Sequence, residues 1–210
     1  MSGFGGYANV SKKRLREAAN PLHFAVSLIG EPCLYLKLPQ LTEEIHRRGL
    51  TSFVVSNGTK PEMIRKLLRH QPTQLYITLP APNEEIFTKC CRPQVKEAWK
   101  NIAKSLSLLD KFNRSAVRLT LVKGRNMCNE EEYARILSKA NPDFVEVKAY
   151  MYLGLSRKHL SLENMPLHED VKEFAEKINK HLGYHLAGES KPSRVVLLSK
   201  KKSNLKISPD

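Results

Sequence analysis

The chain of 210 residues is poor in tryptophan, cysteine and acid: one Trp, four Cys, and 21 Asp and Glu against 35 Lys and Arg. Each shortage excludes something. No apolar run approaches the ~20 residues a helix needs to cross a bilayer, so no membrane span is expected. Met1 to Gly6 has no basic stretch followed by an apolar one and does not resemble a signal peptide. The cysteines, Cys33, Cys90, Cys91 and Cys128, are nowhere spaced as CxxC, and the adjacent Cys90 and Cys91 are poorly placed to ligate one metal together. No metal site and no disulfide framework are expected from them, and a reducing cytoplasm fits this usage. His168-Glu169 lacks a second histidine four residues on, so there is no zinc helix. A phosphate loop, a GxSxG elbow and a Rossmann fingerprint are also missing. The shortage of acid leaves a net charge of +14. A polyanion such as nucleic acid is the expected partner, and no long basic amphipathic helix favours a membrane surface instead.

What is present alternates. Residues 1–20 are glycine-rich and then basic (Lys12, Lys13, Arg14, Arg16), which predicts a flexible lead-in with one short helix. Strand-like runs follow near 23–29, 51–56, 74–79, 116–122 and 143–149, and a last strand covers Val195 to Ser199. Between them lie apolar stripes at helical spacing: Leu41 and Ile45; Met63, Ile64, Leu67 and Leu68; Val95, Trp99, Ile102, Leu106 and Leu109; Tyr133, Ile136, Leu137 and Ala140; and Val171, Phe174, Ile178 and Leu182. Residues 21–199 thus predict one domain, and 200–210 a basic, disordered tail.

Strands alternating with helices predict a parallel sheet with helices packed outside. The strand interiors narrow the choice. Val145 and Val147 share one side of their strand, Glu146 and Lys148 the other. Tyr76 and Thr78 oppose Leu75, Ile77 and Leu79; Arg118 and Thr120 oppose Leu119 and Leu121; Ser27 opposes Val26 and Leu28. A doubly wound sheet would be apolar on both sides. A barrel of parallel strands with a polar lumen fits better.

Several constellations fall at the carboxyl ends of these strands, where ligand sites of parallel α/β folds collect. Phe24 to Pro32 reads as a buried strand ending in Gly30-Glu31-Pro32. There the glycine lets a ligand approach the backbone, the carboxylate can accept from an amino group, and the proline fixes the turn. Asn57-Gly58-Thr59 ends the next strand, and its amide can both donate and accept. Either tripeptide also fits a plain strand-to-helix turn. Lys148, facing the lumen, is the candidate nucleophile, able to form a Schiff base with a 2-oxo acid. The alternative is a structural ion pair with Glu146. Arg92-Pro93, Lys123-Gly124-Arg125-Asn126 and Ser156-Arg157-Lys158 follow three strands at the same edge and would converge on phosphates.

In order, the chain carries Ser-Leu-Ile-Gly-Glu-Pro-x-Leu-Tyr, Ser-Asn-Gly-Thr, Cys-Arg-Pro, Arg-Leu-Thr-Leu-Val-Lys-x-x-Asn, Glu-Val-Lys-Ala-Tyr-Met-x-x-Gly-x-Ser and Met-Pro-x-His-Glu. From about residue 14 to 199 this resembles the tRNA 4-demethylwyosine synthase family of radical S-adenosylmethionine enzymes, in its archaeal form. The resemblance implies a partial TIM-like radical SAM barrel. It implies condensation of pyruvate carbons with N1-methylguanosine in phenylalanine tRNA, and S-adenosylmethionine and an iron–sulfur cluster as cofactors. Gly30, Glu31 and Pro32 would hold the methionine moiety, with Ser27, Asn57 and Thr78 lining that site. Lys148 would capture pyruvate, and Arg92, Arg118, Lys123, Arg125, Glu146, Ser156 and Arg157 would serve the substrates. The chain departs from the family in having no CxxxCxxC loop, with Cys33 for a threonine, Leu36 for a proline and Pro80 for an aspartate. Two expectations follow: a fragment or split part whose first strand and cluster ligands come from another polypeptide, or an inactive relative that binds tRNA.

Overall fold

The computed structural model describes residues 9–202 and 207. Of the lead-in and the tail, residues 1–8, 203–206 and 208–210 lie outside these. Helix α1 (Lys12–Ala19) is capped by the Ser11 side chain and contributes no buried residue. One seven-stranded sheet follows, in the order β1-β2-β3-β4-β5-β7-β6. Strands β1 (His23–Val26), β2 (Thr51–Ser56), β3 (Gln74–Thr78), β4 (Ser115–Leu121) and β5 (Phe144–Ala149) run parallel. The crossovers carry helices α2 (Leu38–Arg47), α3 (Pro61–Leu67), α4 (Glu84–Cys91), α5 (Ala98–Leu106) and α6 (Glu130–Ala140). Helix α7 (His168–Leu182) ends at Gly183, whose φ of +66° suits a glycine cap. A hairpin of β6 (His185–Ser190) and β7 (Val195–Ser199) completes the sheet, with β7 antiparallel to β5.

Alternation along each strand sorts the side chains as expected. Val54, Leu75, Ile77, Val117, Leu119, Val145, Val147, Val196 and Leu198 enter the main core under the helices. On the other side Tyr76, Ala116 and Phe144 form a second, smaller cluster with Phe53, Val55 and Leu197. Phe53 and Tyr76 meet there with ring centroids 4.9 Å apart. This cluster plugs the amino-terminal half of the inner side and leaves its polar positions toward the carboxyl edge. The architecture is the TIM-like arrangement of parallel strands with outer helices.

Four expectations need correction. The first strand is neither buried nor as long as its apolar run: it stops at Val26, and Leu28 takes a φ of +87°, which a strand cannot accommodate. It is the sheet's edge, so Leu28 and Ile29 are almost fully exposed. The last strand runs antiparallel, because β6 rather than a helix precedes it. Its partner β6 and helix α4 carry too few apolar residues in register to be visible as stripes. In the Val95–Leu109 stripe, Val95 is exposed ahead of α5 and Leu109 falls in a short 3₁₀ turn beyond it.

Candidate active site at the carboxyl edge of the sheet

The tips of β1 and β2 are bound together by one carboxylate. Glu31 Oε1 accepts from the Ser56 hydroxyl at 2.7 Å and from Cys33 N–H at 3.0 Å, while Oε2 accepts from Asn57 N–H at 2.7 Å. Pro32 starts the 3₁₀ turn Pro32–Leu34 that Glu31 caps. Gly30 has a φ of +80°, and no atom lies within 4 Å of where its Cβ would stand, so the backbone there is open to a ligand. A carboxylate offers about four acceptor positions and three are used. One place on Oε2 is left for an incoming amine. Asn57 is exposed, but its Oδ1 accepts from Thr59 N–H at 2.9 Å and from the Thr59 hydroxyl at 2.7 Å. Its carbonyl is therefore committed to the turn, and only its amide N–H₂ faces outward. Ser27, half-buried just past β1, stands at the same edge.

Glu146 and Lys148 occupy the inner side of β5. Glu146 is paired laterally: Arg118 Nε donates to Oε1 at 2.7 Å and Arg118 Nη2 to Oε2 at 3.4 Å. The Tyr76 hydroxyl also donates to Oε2, at 3.2 Å. Burial first, and the Glu146 charge second, push the Tyr76 phenol far above its ordinary pKa, so it stays a donor. Arg118 in turn stacks over the Tyr76 ring, 4.9 Å from its centroid. The anticipated Glu146–Lys148 ion pair does not form. Among the described residues the half-buried Lys148 side chain has neither a hydrogen bond nor an ion pair. The register places Thr120 of β4 on one side of Lys148 and Val195 of β7 on the other.

Thr120 also lines a pocket of about 540 Å³ at the ends of β3 and β4. Thr78 ends β3 and Pro80 follows it in the loop, Cys90, Cys91 and Arg92 come from the end of α4, Arg125 and Asn126 from the loop after β4, and Ser156 and His159 from the turn after β5. Four of the anticipated residues, Thr78, Arg92, Arg125 and Ser156, thus meet in one cavity. The pocket's keystone is Asn126, expected from the sequence only as part of a run facing phosphates. Its Oδ1 accepts from Val122 N–H at 2.7 Å, and its Nδ2 donates to Pro80 O at 2.8 Å and Thr120 O at 2.9 Å. It thereby fixes the spacing of the β3 and β4 ends. Arg92 reaches the pocket because it terminates α4 in the left-handed region, at a φ of +45°.

Three anticipated substrate contacts are engaged elsewhere. Lys123 is ion-paired with Asp170 at 2.5 Å, tying the β4 loop to the start of α7. Arg118 is committed to Glu146, and Arg157 folds back on Tyr152, donating to its carbonyl at 3.2 Å and stacking on its ring at 5.2 Å. In each case a nearby carboxylate or carbonyl outcompetes solvent, which residue type and strand position alone do not reveal. Among the described residues no group of three or more His, Cys, Asp or Glu side chains gathers to hold a metal. No helix among the described residues is long and apolar enough to cross a membrane.

Comparison with known proteins agrees with this geometry. Residues 9–137 match the model of the radical SAM superfamily, and residues 139–200 match the model of wyosine base formation. The chain is 48% identical over 202 residues to the S-adenosyl-L-methionine-dependent tRNA 4-demethylwyosine synthase of Pyrococcus horikoshii, covering 94% of this chain and 59% of that protein. It is 37% identical over 208 residues to the protein of the same name from Methanocaldococcus jannaschii, covering 97% and 65%. The chain therefore spans about three-fifths of the length of these relatives. A TYW1 structure with a lysine–pyruvate adduct bound superposes with a TM-score of 0.83 at 35% identity, covering 91% of this chain and 61% of that one. An archaeal TYW1 crystal structure superposes at 0.75 with 32% identity, covering 95% and 63%. A domain of the pyruvate-formate lyase-activating enzyme of Bacteroides vulgatus, at 17% identity and a TM-score of 0.55 over 75% of this chain and 93% of that one, shares the fold. Parallel strands, outer helices, a polar inner face and a superfamily match running from residue 9 to residue 137 lead to one conclusion: the chain belongs to the radical SAM superfamily.

Proposed function

We propose that this chain supplies the pyruvate-binding face of a tRNA 4-demethylwyosine synthase, with residues 21–199 as its barrel unit. The observation that carries the reading is the uncommitted Lys148 amine, set beside Thr120 at the edge of the pocket. A neutral Lys148 Nζ adds to the C2 carbonyl carbon of pyruvate, and the carbinolamine loses water to give an imine. Thr120 and Thr78 offer hydroxyls on the same side as the new bond. Arg92 and Arg125, both exposed at the pocket, face the phosphates of the tRNA.

The open approach at Gly30 and the spare acceptor on Glu31 Oε2 fit the amino-acid end of S-adenosylmethionine, with Pro32, Ser27, Asn57 and Thr78 around it. S-adenosylmethionine held there would, on receiving one electron from a reduced iron–sulfur cluster, supply the hydrogen-abstracting chemistry for the methyl carbon of N1-methylguanosine. The cysteines of this sequence, Cys33, Cys90, Cys91 and Cys128, are not spaced as CxxxCxxC, so a second polypeptide would supply the cluster-binding segment.

The test is borohydride reduction in the presence of pyruvate, followed by peptide mass mapping. The expected result is a reduced pyruvate adduct on the Lys148 peptide, lost in K148R. No adduct at Lys148, with salt-sensitive tRNA binding retained, would overturn the catalytic reading in favour of a binding module.

A further inference from the structure

Glu146 and Lys148 lie two residues apart on one side of β5, so their Cα atoms are about 7 Å apart. Two flexible side chains at that spacing close readily into an ion pair. They do not, because the Glu146 carboxylate is turned toward β4 and β3. Arg118 and Glu146 are register partners. The guanidinium fork takes both carboxylate oxygens, at 2.7 and 3.4 Å, and Tyr76 takes a third acceptor position at 3.2 Å. The pair is well shielded, with the Arg118 side chain 27% and the Glu146 side chain 16% exposed. The Tyr76 ring holds the guanidinium from its face.

We propose that Arg118 is a positioning residue for Lys148. By engaging the Glu146 carboxylate laterally, it prevents that carboxylate from pairing with the amine two residues on, and so leaves the amine unpaired for a carbonyl compound. This rests on the reading of Lys148 as the nucleophile. A planar fork is suited to the task because it binds both oxygens and fixes the carboxylate's direction, which a lysine cannot do. The other groups around this face do not replace it. From β7, Val195 and Leu197 stand beside Lys148 and Glu146 and carry no charge. From β4, Thr120 is neutral, and Arg114 lies at the strand's start, stacked on Phe144 at 4.4 Å and bonded to Gln74 at 3.1 Å. From β3, Tyr76 donates to the same carboxylate.

The experiment reads the amine directly and needs no pyruvate. Lysines of the purified full chain are reductively ¹³C-dimethylated, the Lys148 signal is assigned by its loss in K148R, and its pH titration is followed by NMR. In R118M the freed Glu146 turns to Lys148, and the titration midpoint moves up by about one pH unit. In R118M/E146Q no carboxylate is available, and the midpoint returns to that of the parent. R118K, which keeps the charge but loses the fork, gives an intermediate shift and serves if R118M does not fold. A midpoint unchanged in R118M, or in R118K where only that variant folds, overturns the proposal. Shifts in the variants together with no imine between the parent chain and pyruvate would instead overturn the reading of Lys148 as nucleophile and leave the positioning geometry standing.

Discussion

Asn57 N–H donates to Glu31 Oε2 at 2.7 Å, joining two loop motifs 26 residues apart. The same carboxylate holds Ser56 and Cys33 through its other oxygen. One side chain thus caps its own turn and registers the tips of two strands. Its truncation in E31A would leave three donors without their acceptor, and the expected loss is about 2–3 kcal/mol in urea unfolding. E31Q retains one acceptor oxygen and should lose less, about 1–2 kcal/mol. By removing the charge, it should also weaken S-adenosylmethionine binding about tenfold in calorimetry on the complete assembly. An E31Q chain with unchanged affinity would remove Glu31 as a contact to the amine.

Much of this was legible in the sequence because strand alternation has a period of two. Val145 and Val147 against Glu146 and Lys148 is enough to separate core from inner face, and the structure separates them so. What alternation cannot give is lateral choice. Glu146 has a cation two residues away along its own strand and another beside it on β4. The choice of Arg118 is set by register, and register depends on crossover lengths that no local pattern encodes. In the sequence Asn126 stands only as part of a phosphate-facing run, and its structural role is hidden for the same reason: its bonds to Pro80 and Thr120 join strands that only the fold brings together. In the first strand an apolar run does not mean burial, because β1 is the sheet's edge.

Gly58 and Gly49 both hold positive φ, +73° and +69°, yet their surroundings differ. A Cβ at Gly58 would meet Ile77 Cγ2 at 3.0 Å and Ile102 Cα at 3.6 Å, whereas nothing lies within 4 Å at Gly49. Ser105 also donates to the Gly58 carbonyl at 2.7 Å, which pins this turn to α5. G49A should cost only the left-handed strain, about 1 kcal/mol. G58A adds overpacking of a core isoleucine and should cost about 2–4 kcal/mol. Equal costs in thermal unfolding would show that the Asn57–Gly58 turn moves freely, contrary to this packing.

Asp170 gives the fold an acid-sensitive tie. Partial burial raises its carboxyl pKa, but the Lys123 ammonium and the Leu167 N–H outweigh that and hold it below the ordinary carboxylate range. Asp170 Oδ2 accepts from Leu167 N–H at 2.6 Å. A group with a depressed folded pKa binds fewer protons folded than unfolded. Its contribution is therefore complete above the unfolded value of about 3.9 and is lost as pH falls through the folded one. D170N should cost about 1 kcal/mol at neutral pH and flatten the stability profile below about pH 4. An acid limb of unchanged slope would exclude this tie as its source.

Cys33 lies under the same knot as Glu31 and should be the last thiol to react. Its side chain is buried, and its S–H points to Ser56 Oγ at 3.4 Å. Burial is the main cause that pushes its pKa up to about 12; the Ser56 bond lowers it slightly and Glu31 raises it further. At pH 8 the thiolate fraction is then about one part in ten thousand, and the thiolate is the form that alkylates. Cys90 and Cys91 are exposed at the end of α4. Iodoacetamide at pH 8 followed by peptide mapping should label those two first, then Cys128, and Cys33 about 100-fold more slowly than Cys90. Because Glu31 caps the turn that buries Cys33, E31A should accelerate Cys33 alkylation while leaving Cys90 and Cys91 unchanged. Labelling of Cys33 at the rate of Cys90 in the parent chain would mean that the knot opens on its own, and with it the arrangement of strand tips that holds the ligand-facing edge together.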